Sequence, residues 1–423
     1  MNIPEPGKGQ QRIVILGIGF AGLKLARRLA KNRRFQLVII DKNNYHQFQP
    51  LLYQVATAGL EPSSISFPVR KIFQNNKNVF IRIAEIQEAD TVNKTVYTSV
   101  GKCKYDKLII ALGSSTNYYG NKQLEENCIG LKTVSEALYL RNTLLRNYEK
   151  AVVAESEREY EAALNIVIVG GGPTGVELAG AIAEMRNRIL PKEYSEIDFS
   201  RMNIFLTEAV DRLLPAMSPY SSRKAGKYLK KMGVSILLNT MVKAYEGQTV
   251  TTDREEINSL CVIWAAGMKA VILKGIPDKC KGKNNRILVN EFNEVKDLED
   301  IYAIGDIALA TTKKYPDGHP QLAPVANQQA NNLAGNLLRG LKNKTFKPFS
   351  YADNGNMATV GRSRAVVELP FIKFGGLLAW LTWLLVHLMS MVGVRNRLFI
   401  FINWLYYYLT YNLSLRLIIK PGK

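Results

Sequence analysis

The chain has 423 residues, 47% of them hydrophobic, and a formal net charge of +20. That length asks for two or three domains, and the apolar fraction is enough to give each a core. The charge points to an anionic cofactor or an anionic membrane surface; with no aromatic–basic module of the RNA-recognition kind, nucleic acid is set aside as a partner.

In chain order, the opening MNIPEPGKGQ carries no apolar stretch of the signal-peptide kind and is too short for an Arg-rich transit peptide. Residues 13–26, IVILGIGFAGLKLA, then read as strand, tight glycine turn and helix, the start of a βαβ unit. Gly17 permits the turn, Gly19 lets the backbone approach a pyrophosphate, and Gly22 lets the helix pack on the strand. A pyrophosphate there meets the free N–H groups of a helix N-terminus. The glycine pattern alone is common. Here the next strand, QLVIID, ends in Asp41, a carboxylate placed to accept from both hydroxyls of a ribose. The segment YDKLIIALGSS (105–115) is a strand ending in the small residues Ala111–Gly113, where a dinucleotide can pass close to backbone.

A polar stretch at 133–163 with helical spacing reads as a connecting helix pair. Residues 166–179, IVIVGGGPTGVELA, then repeat the first fingerprint with eight of fourteen aligned positions identical. The glycines are now Gly170, Gly172 and Gly175. A later strand ends in Glu208, which favours an unphosphorylated adenosine ribose and so NADH over NADPH; nearby Arg212 tempers that preference. CVIWAAGMKA (261–270) is the matching Ala-Gly strand end, and DIYAIGDIA (300–308) returns to the first domain with Gly305 and Asp306.

The expected fold class is therefore α/β: two Rossmann-like dinucleotide-binding domains, the second inserted in the first, with a helical C-terminal segment that associates with a membrane. The boundaries drawn are 1–163 and 286–348 for the FAD-binding domain, 164–285 for the NADH-binding domain, and 349–423 for the tail. The tail holds two uncharged apolar runs, 374–394 and 398–415, long enough for a spanning hairpin. Recurring polar residues (Thr382, His387, Ser390, Asn403, Thr410, Asn412) argue against spanning, and the Tyr, Trp and basic residues suit a membrane–water interface. A soluble core or dimer interface is a third reading. Arg395, Arg397, Arg416, Lys420 and Lys423 would face anionic headgroups.

The order of fingerprint, Ala-Leu-Gly, fingerprint, Ala-Ala-Gly and Gly-Asp resembles the two-dinucleotide-binding-domain flavoproteins. Within them, the chain resembles the type II NADH dehydrogenases, single-subunit NADH:quinone oxidoreductases that pump no protons. The residues carrying that likeness are NNYHQFQPLLYQVATAGL (43–60), GGGPTGVELAGA (170–181), TEAVDRLLPAMSP (207–219), the Gly-Asp segment, PQLAPVANQQANNLAGNL (320–337) and the apolar tail.

The resemblance implies FAD as cofactor, NADH as substrate and a membrane quinone as acceptor. It implies the cytoplasmic face of a bacterial inner membrane, and a homodimer. FAD contacts are implied for Gly17, Gly19, Phe20, Ala21, Gly22, Asp41 and Lys42, for Pro50, Leu51, Leu52, Ala84, Ala111 and Gly113, and for Asp306, Ala323, Pro324 and Val325. NADH contacts are implied for Gly170, Gly172, Pro173, Thr174 and Gly175, and for Glu177, Glu208, Ala266 and Gly267. Glu177 is the expected catalytic residue, beside nicotinamide and flavin. The stretch Ala323–Gln328 matches the quinone-site motif AQxAxQ, with Gln328 as its second Gln, but Pro324 replaces the first. His46 and His387 read as packing residues.

Cys103, Cys128, Cys261 and Cys280 form no CxxC and no metal-ligand spacing, so neither a disulfide framework nor a metal centre is expected. No thiol falls near the fingerprints, which sets aside disulfide and sulfide chemistry. Two other functions remain open on sequence: a soluble NAD(P)H-dependent reductase of a small electron-carrier protein, and a non-catalytic nucleotide-binding redox sensor.

Overall fold

The structure, a computed structural model, describes residues 1–410 and 416–418, with backbone only at Val394 and Arg395. By contact density the chain divides into two compact units. The first holds residues 1–46, 67–115 and 268–353; the second holds 47–66, 116–267 and 354–423. This partition draws other boundaries than the sequence did: residues 47–66 and 116–163 gather with the second fingerprint, and 268–285 with the first.

The first unit is built on a five-stranded parallel sheet. Its order is Ile301–Ala303, Lys107–Ile110, Gln11–Leu16, Phe35–Asp41 and Val79–Ile83. The inner strands are continuous runs of Ile, Val and Leu because both faces are covered. Ile13, Val14, Ile15 and Leu16 are all fully buried. A three-stranded antiparallel sheet over 86–104 precedes the strand Lys107–Ile110.

The second unit repeats this plan. Its parallel sheet runs Ile129–Gly130, Cys261–Trp264, Ile166–Val169, Ile204–Glu208 and Val234–Leu238. A three-stranded antiparallel sheet over 242–258 again precedes the Ala-Gly strand. The duplication seen in fourteen residues thus extends to both whole folds. In each sheet the order places the Ala-Gly strand, the fingerprint strand and the acid-ended strand side by side.

The expected helix pair is present as Val134–Val152 and Glu157–Leu164. A capping box starts the first: Thr133 Oγ1 accepts from the Glu136 N–H at 3.1 Å, and Glu136 Oε2 accepts from the Thr133 N–H at 2.7 Å. The second unit also carries a small sheet of Asn356–Thr359, Ala365–Glu368 and Lys373–Gly375, and the tail helices Leu377–Ser390 and Val394–Thr410.

The first apolar run therefore opens as a strand, and Gly376 at φ +98° turns it into a helix of only 14 residues. At about 1.5 Å per residue it spans roughly 21 Å, and the 17-residue second helix roughly 26 Å, against about 30 Å of hydrocarbon. Among the described residues no helix is long and apolar enough to cross a membrane. Asn412, Lys420 and Lys423 lie outside the described residues.

Replacing the cap by Thr133→Ala should destabilise the helix Val134–Val152 by about 1 kcal/mol. Hydrogen exchange would show this as faster exchange confined to its first-turn amides.

Candidate functional site

The first unit brings its sequence-marked residues to one edge of its sheet. Gly17, Asp41, Ala84, Ala111 and the Gly305–Asp306 pair all stand at or just past the C-terminal ends of the five parallel strands, the end where open α/β sheets bind ligands. Gly17 takes φ +94°, and a Cβ there would meet the Ala111 carbonyl oxygen at 2.5 Å. A Cβ on Gly22 would sit 2.0 Å from the Gly17 carbonyl oxygen, so only glycine lets helix and strand close up. Gly19 differs: a Cβ there meets nothing within 4 Å. The middle glycine faces open space at a helix N-terminus.

Asp41 Oδ2 accepts from the Ile18 N–H at 2.8 Å and Oδ1 from the Asn43 N–H at 2.7 Å. Burial raises its pKa above the ordinary value, against the lowering effect of the two amides. Ala84 is hydrogen-bonded to the Asp41 carbonyl at 3.0 Å, and Lys42 is exposed. Phe20 packs edge-on against His46, and His46 bonds the Ile18 carbonyl through Nδ1 at 2.8 Å. Burial drives the pKa of His46 down to about 4, in keeping with a neutral packing residue. On the far strand, Asp306 Oδ2 accepts from Ser114 Oγ at 2.6 Å. Gly305, at φ +78°, donates its N–H to Gln329 Oε1 at 2.7 Å.

Gln329 and Ser114 were not singled out in the sequence, although each adjoins a residue that was. Ala323, Pro324 and Val325 open the helix Ala323–Gly340, with Pro324 exposed and Val325 buried. The Gln328 amide pairs with the Ala352 backbone in both directions, at 2.8 and 2.9 Å.

In the second unit the same turn recurs. Gly170 takes φ +109° against the Ala265–Ala266 backbone, and a Cβ on Gly175 would lie 1.9 Å from the Gly170 carbonyl oxygen. Gly172 is again open, beside the exposed Pro173 and Thr174. Glu208 Oε2 accepts from the Gly171 N–H at 2.7 Å and Oε1 from the Val210 N–H at 3.2 Å. Arg212 donates to the Pro215 carbonyl at 2.8 Å. A Cβ on Gly267 would meet the Tyr119 hydroxyl at 2.4 Å, so that tyrosine lies against the Ala266–Gly267 strand end.

Glu177 sits on the helix Pro173–Arg188 and is only 8% exposed. Its Oε1 accepts from the Thr359 N–H at 3.3 Å. Burial pushes its pKa up from 4.5 to about 8, against the opposing pull of the Thr359 amide and the Trp383 indole. Tyr53, Thr359 and Trp383 are neighbours the sequence did not mark. Tyr53 belongs to the helix Leu52–Ala56, which opens on the buried Leu52 and is preceded by the half-buried Pro50 and the buried Leu51. His387 is half-buried and stacked on Trp383 at 3.9 Å between ring centroids. All four cysteines are buried and unpaired, and burial raises every thiol, Cys128 and Cys261 to about 12.

Residues 11–330 match the family model described as pyridine nucleotide-disulphide oxidoreductase, and residues 354–410 match the NDH2 C-terminal domain. Type II NADH:quinone oxidoreductase NdhA of Mycobacterium tuberculosis is 34% identical over 419 residues, 95% of this chain and 88% of that protein. The chain belongs to the type II NADH:quinone oxidoreductase family. The Haemophilus influenzae type II NADH:quinone oxidoreductase is 30% identical, over 86% of this chain and 88% of its own. The structure of NDH2 from Plasmodium falciparum in complex with NADH shares the fold, with a TM-score of 0.88 at 20% identity over 97% of this chain and 100% of that one.

The two classes of glycine predict opposite phenotypes. Gly22→Ala and Gly175→Ala should lower stability by on the order of 3 kcal/mol, since helix and strand must separate. Gly19→Ala and Gly172→Ala should stay within about 0.5 kcal/mol of the parent yet lose dinucleotide retention. Melting temperature and bound-nucleotide content, measured on all four, check this.

Proposed function

We propose that the chain oxidises NADH with FAD as its cofactor and passes the electrons to a membrane quinone without pumping protons. It would do so on the cytoplasmic face of a bacterial inner membrane, held there by its tail, and as a homodimer. The observation that carries the reading is one loop built twice, each copy with its own glycine turn, open middle glycine and strand-end carboxylate.

The first copy fits FAD. The open face at Gly19 and the helix N-terminus behind it receive the pyrophosphate, with Phe20 and Ala21 in that first turn. Asp41 takes the ribose, with Lys42 and Ala84 beside it, and Asp306 takes the ribityl hydroxyls near Ala111 and Gly113. Ala323–Val325 would serve the ring. When bound, FAD accepts hydride from NADH and returns the electrons to the acceptor. The second copy holds NADH through Gly170–Gly175, with Ala266 and Gly267 flanking. Glu208 repels a 2′-phosphate, and Arg212, bonded to Pro215, offers that phosphate little.

Glu177 is the catalytic residue of this reading. With a pKa near 8 it holds its proton at neutral pH, and a quinone oxygen gaining negative charge is the base that takes it. Pro324 and Gln328 shape the quinone site. Pro324 supplies no side-chain donor, and Gln328 fixes the chain at Ala352.

The tail supports membrane docking. Leu378, Leu381, Leu385 and Met389 are 47–72% exposed on one face of the first tail helix, while Ala379 and Trp383 are buried on the other. Phe401, Leu405 and Leu409 extend the exposed apolar surface on the second helix. A patch of that kind marks a membrane or protein interface, and a soluble reductase of a small carrier protein has no use for it.

The purified protein should be yellow and should bleach on adding NADH; a colourless, inert protein would instead favour the redox sensor. Glu177→Gln should slow reoxidation by quinone about 100-fold below pH 8, and slow bleaching by NADH less. Because folding raises this carboxyl's pKa, the parent loses stability as pH climbs from 4.5 to about 8, and the variant should not. Melting curves across that window check the sign.

Replacing exposed leucines (Leu378→Ser, Leu385→Ser, Leu409→Ser) should each weaken binding to anionic vesicles about 30-fold, from roughly 2 kcal/mol of lost apolar burial. Unchanged vesicle binding together with loss of self-association would make this face a dimer interface instead.

A further inference from the structure

The neighbours of Glu177 form a connected series. Trp404, on the helix Val394–Thr410, donates its indole N–H to Gln54 Oε1 at 2.8 Å. Gln54 donates through Nε2 to the Tyr53 hydroxyl at 2.9 Å. That hydroxyl lies 3.2 Å from Thr359 Oγ1, and the Thr359 N–H holds Glu177 at 3.3 Å. The amide of Gln54 is thus pinned at both ends, its oxygen to the tail helix and its nitrogen to Tyr53. Tyr53 is buried, and its hydroxyl is held well above the usual range by burial and by Glu177.

The same helix has a second fastening. Arg362 lies over the Tyr408 ring at 3.9 Å, and Trp380 stacks on that ring at 5.6 Å. The outer residues Phe401, Leu405 and Leu409 are exposed while Ile400 is buried, so the helix has one seated face and one apolar face turned out.

We propose that Tyr53, Gln54 and Trp404 are positioning residues for Glu177: they run from the tail helix to the Thr359 backbone that holds the carboxyl, so proton delivery to quinone answers to how that helix is seated. This rests on the role given to Glu177 above. The other ionisable groups nearby are few. His387 lies behind Trp383 and is kept neutral by burial, with its pKa near 4. Glu184 lies two turns beyond Glu177 on the helix Pro173–Arg188, beside Arg362 and Arg364. None of these belongs to the series from Trp404 to Thr359. Loosening the series withdraws the Thr359 N–H, which stabilises the charged carboxylate, so the proton is held more tightly and the titration moves up.

The test uses holoenzyme bound to vesicles of phosphatidylglycerol and phosphatidylethanolamine. Trp404→Phe and Tyr53→Phe keep the rings and remove one hydrogen bond each. Two readouts are taken: the pH profile of quinone reduction, and an infrared titration of the protonated carboxyl band that Glu177→Gln abolishes. Each single variant should move both midpoints upward by about half a unit, and the double variant no further, because both act through one series. Releasing the parent protein from vesicles into detergent should move the midpoint the same way. Unmoved midpoints in correctly folded, FAD-replete variants would overturn the proposal, as would fully additive shifts. Gln54→Leu replaces Tyr53→Phe if the latter fails to retain FAD. Should the parent show no Glu177-dependent band, the catalytic reading itself fails; a band present but unmoved sinks only the positioning role.

Discussion

Each nucleotide loop depends on one interaction: a strand-end carboxylate accepting the N–H of the residue that follows the turn glycine. Asp41 does this to Ile18 and Glu208 to Gly171, at 2.8 and 2.7 Å. In both cases the second oxygen accepts from the loop after its own strand. The carboxylate therefore ties two adjacent loops together before any ligand arrives. Hydrogen bonds to a charged acceptor are worth roughly 1.5–3 kcal/mol each, enough to hold a turn whose first glycine has positive φ. Each oxygen keeps acceptor capacity for a ribose hydroxyl. The residue that reads the ribose is also the residue that builds the turn, so neither carboxylate can be judged as a binding group alone.

That coupling explains why so much of the nucleotide-binding apparatus was legible. Strand, glycines and acid are local in sequence or repeat at a recognisable distance, and their physical reasons are steric. The parallel sheets follow from the same pattern, since continuous Ile/Val runs such as IVIL and IVIV need cover on both faces. What lay beyond reach depends on contacts between distant segments. The antiparallel sheets over 86–104 and 242–258 have no strong alternation to announce them. The surroundings of Glu177 come from Tyr53, Thr359 and Trp383, three segments with no shared motif. Gln329 was overlooked beside Gln328 because helical position decides which of two adjacent amides turns inward. In the structure the buried one bonds Gly305 and its neighbour bonds Ala352.

The tail shows a different limit. Counting uncharged residues gives two runs of spanning length, but composition does not say where backbone geometry changes. Lys373–Gly375 pairs as a strand with Ala365–Glu368, and Gly376 turns the chain before the helix begins. The sheet and the Gly376 turn take the start of the run, and the helix stops at Ser390 with Met391 extended, which leaves 14 helical residues. Burial of Trp383 and Ala379 on one side and exposure of the leucines on the other then make the helix amphipathic by packing, although nearly every residue in it is apolar.

The proton chemistry follows from the same burial. Four thiols are present, and the fold removes all of them from reaction by enclosing them and raising their pKa values. One carboxyl is enclosed in the same way, but for a carboxyl the outcome is opposite in use. Raising a thiol from 9 to about 12 silences it at neutral pH, whereas raising Glu177 from 4.5 to about 8 leaves it protonated and close to the working range. The weakness of the opposing pull from the Thr359 amide and the Trp383 indole matters for that balance: several strong donors would return the carboxyl toward its ordinary value and empty it of its proton. A long amide bond of 3.3 Å leaves the carboxyl its proton, and it makes the group sensitive to whatever holds Thr359 in place.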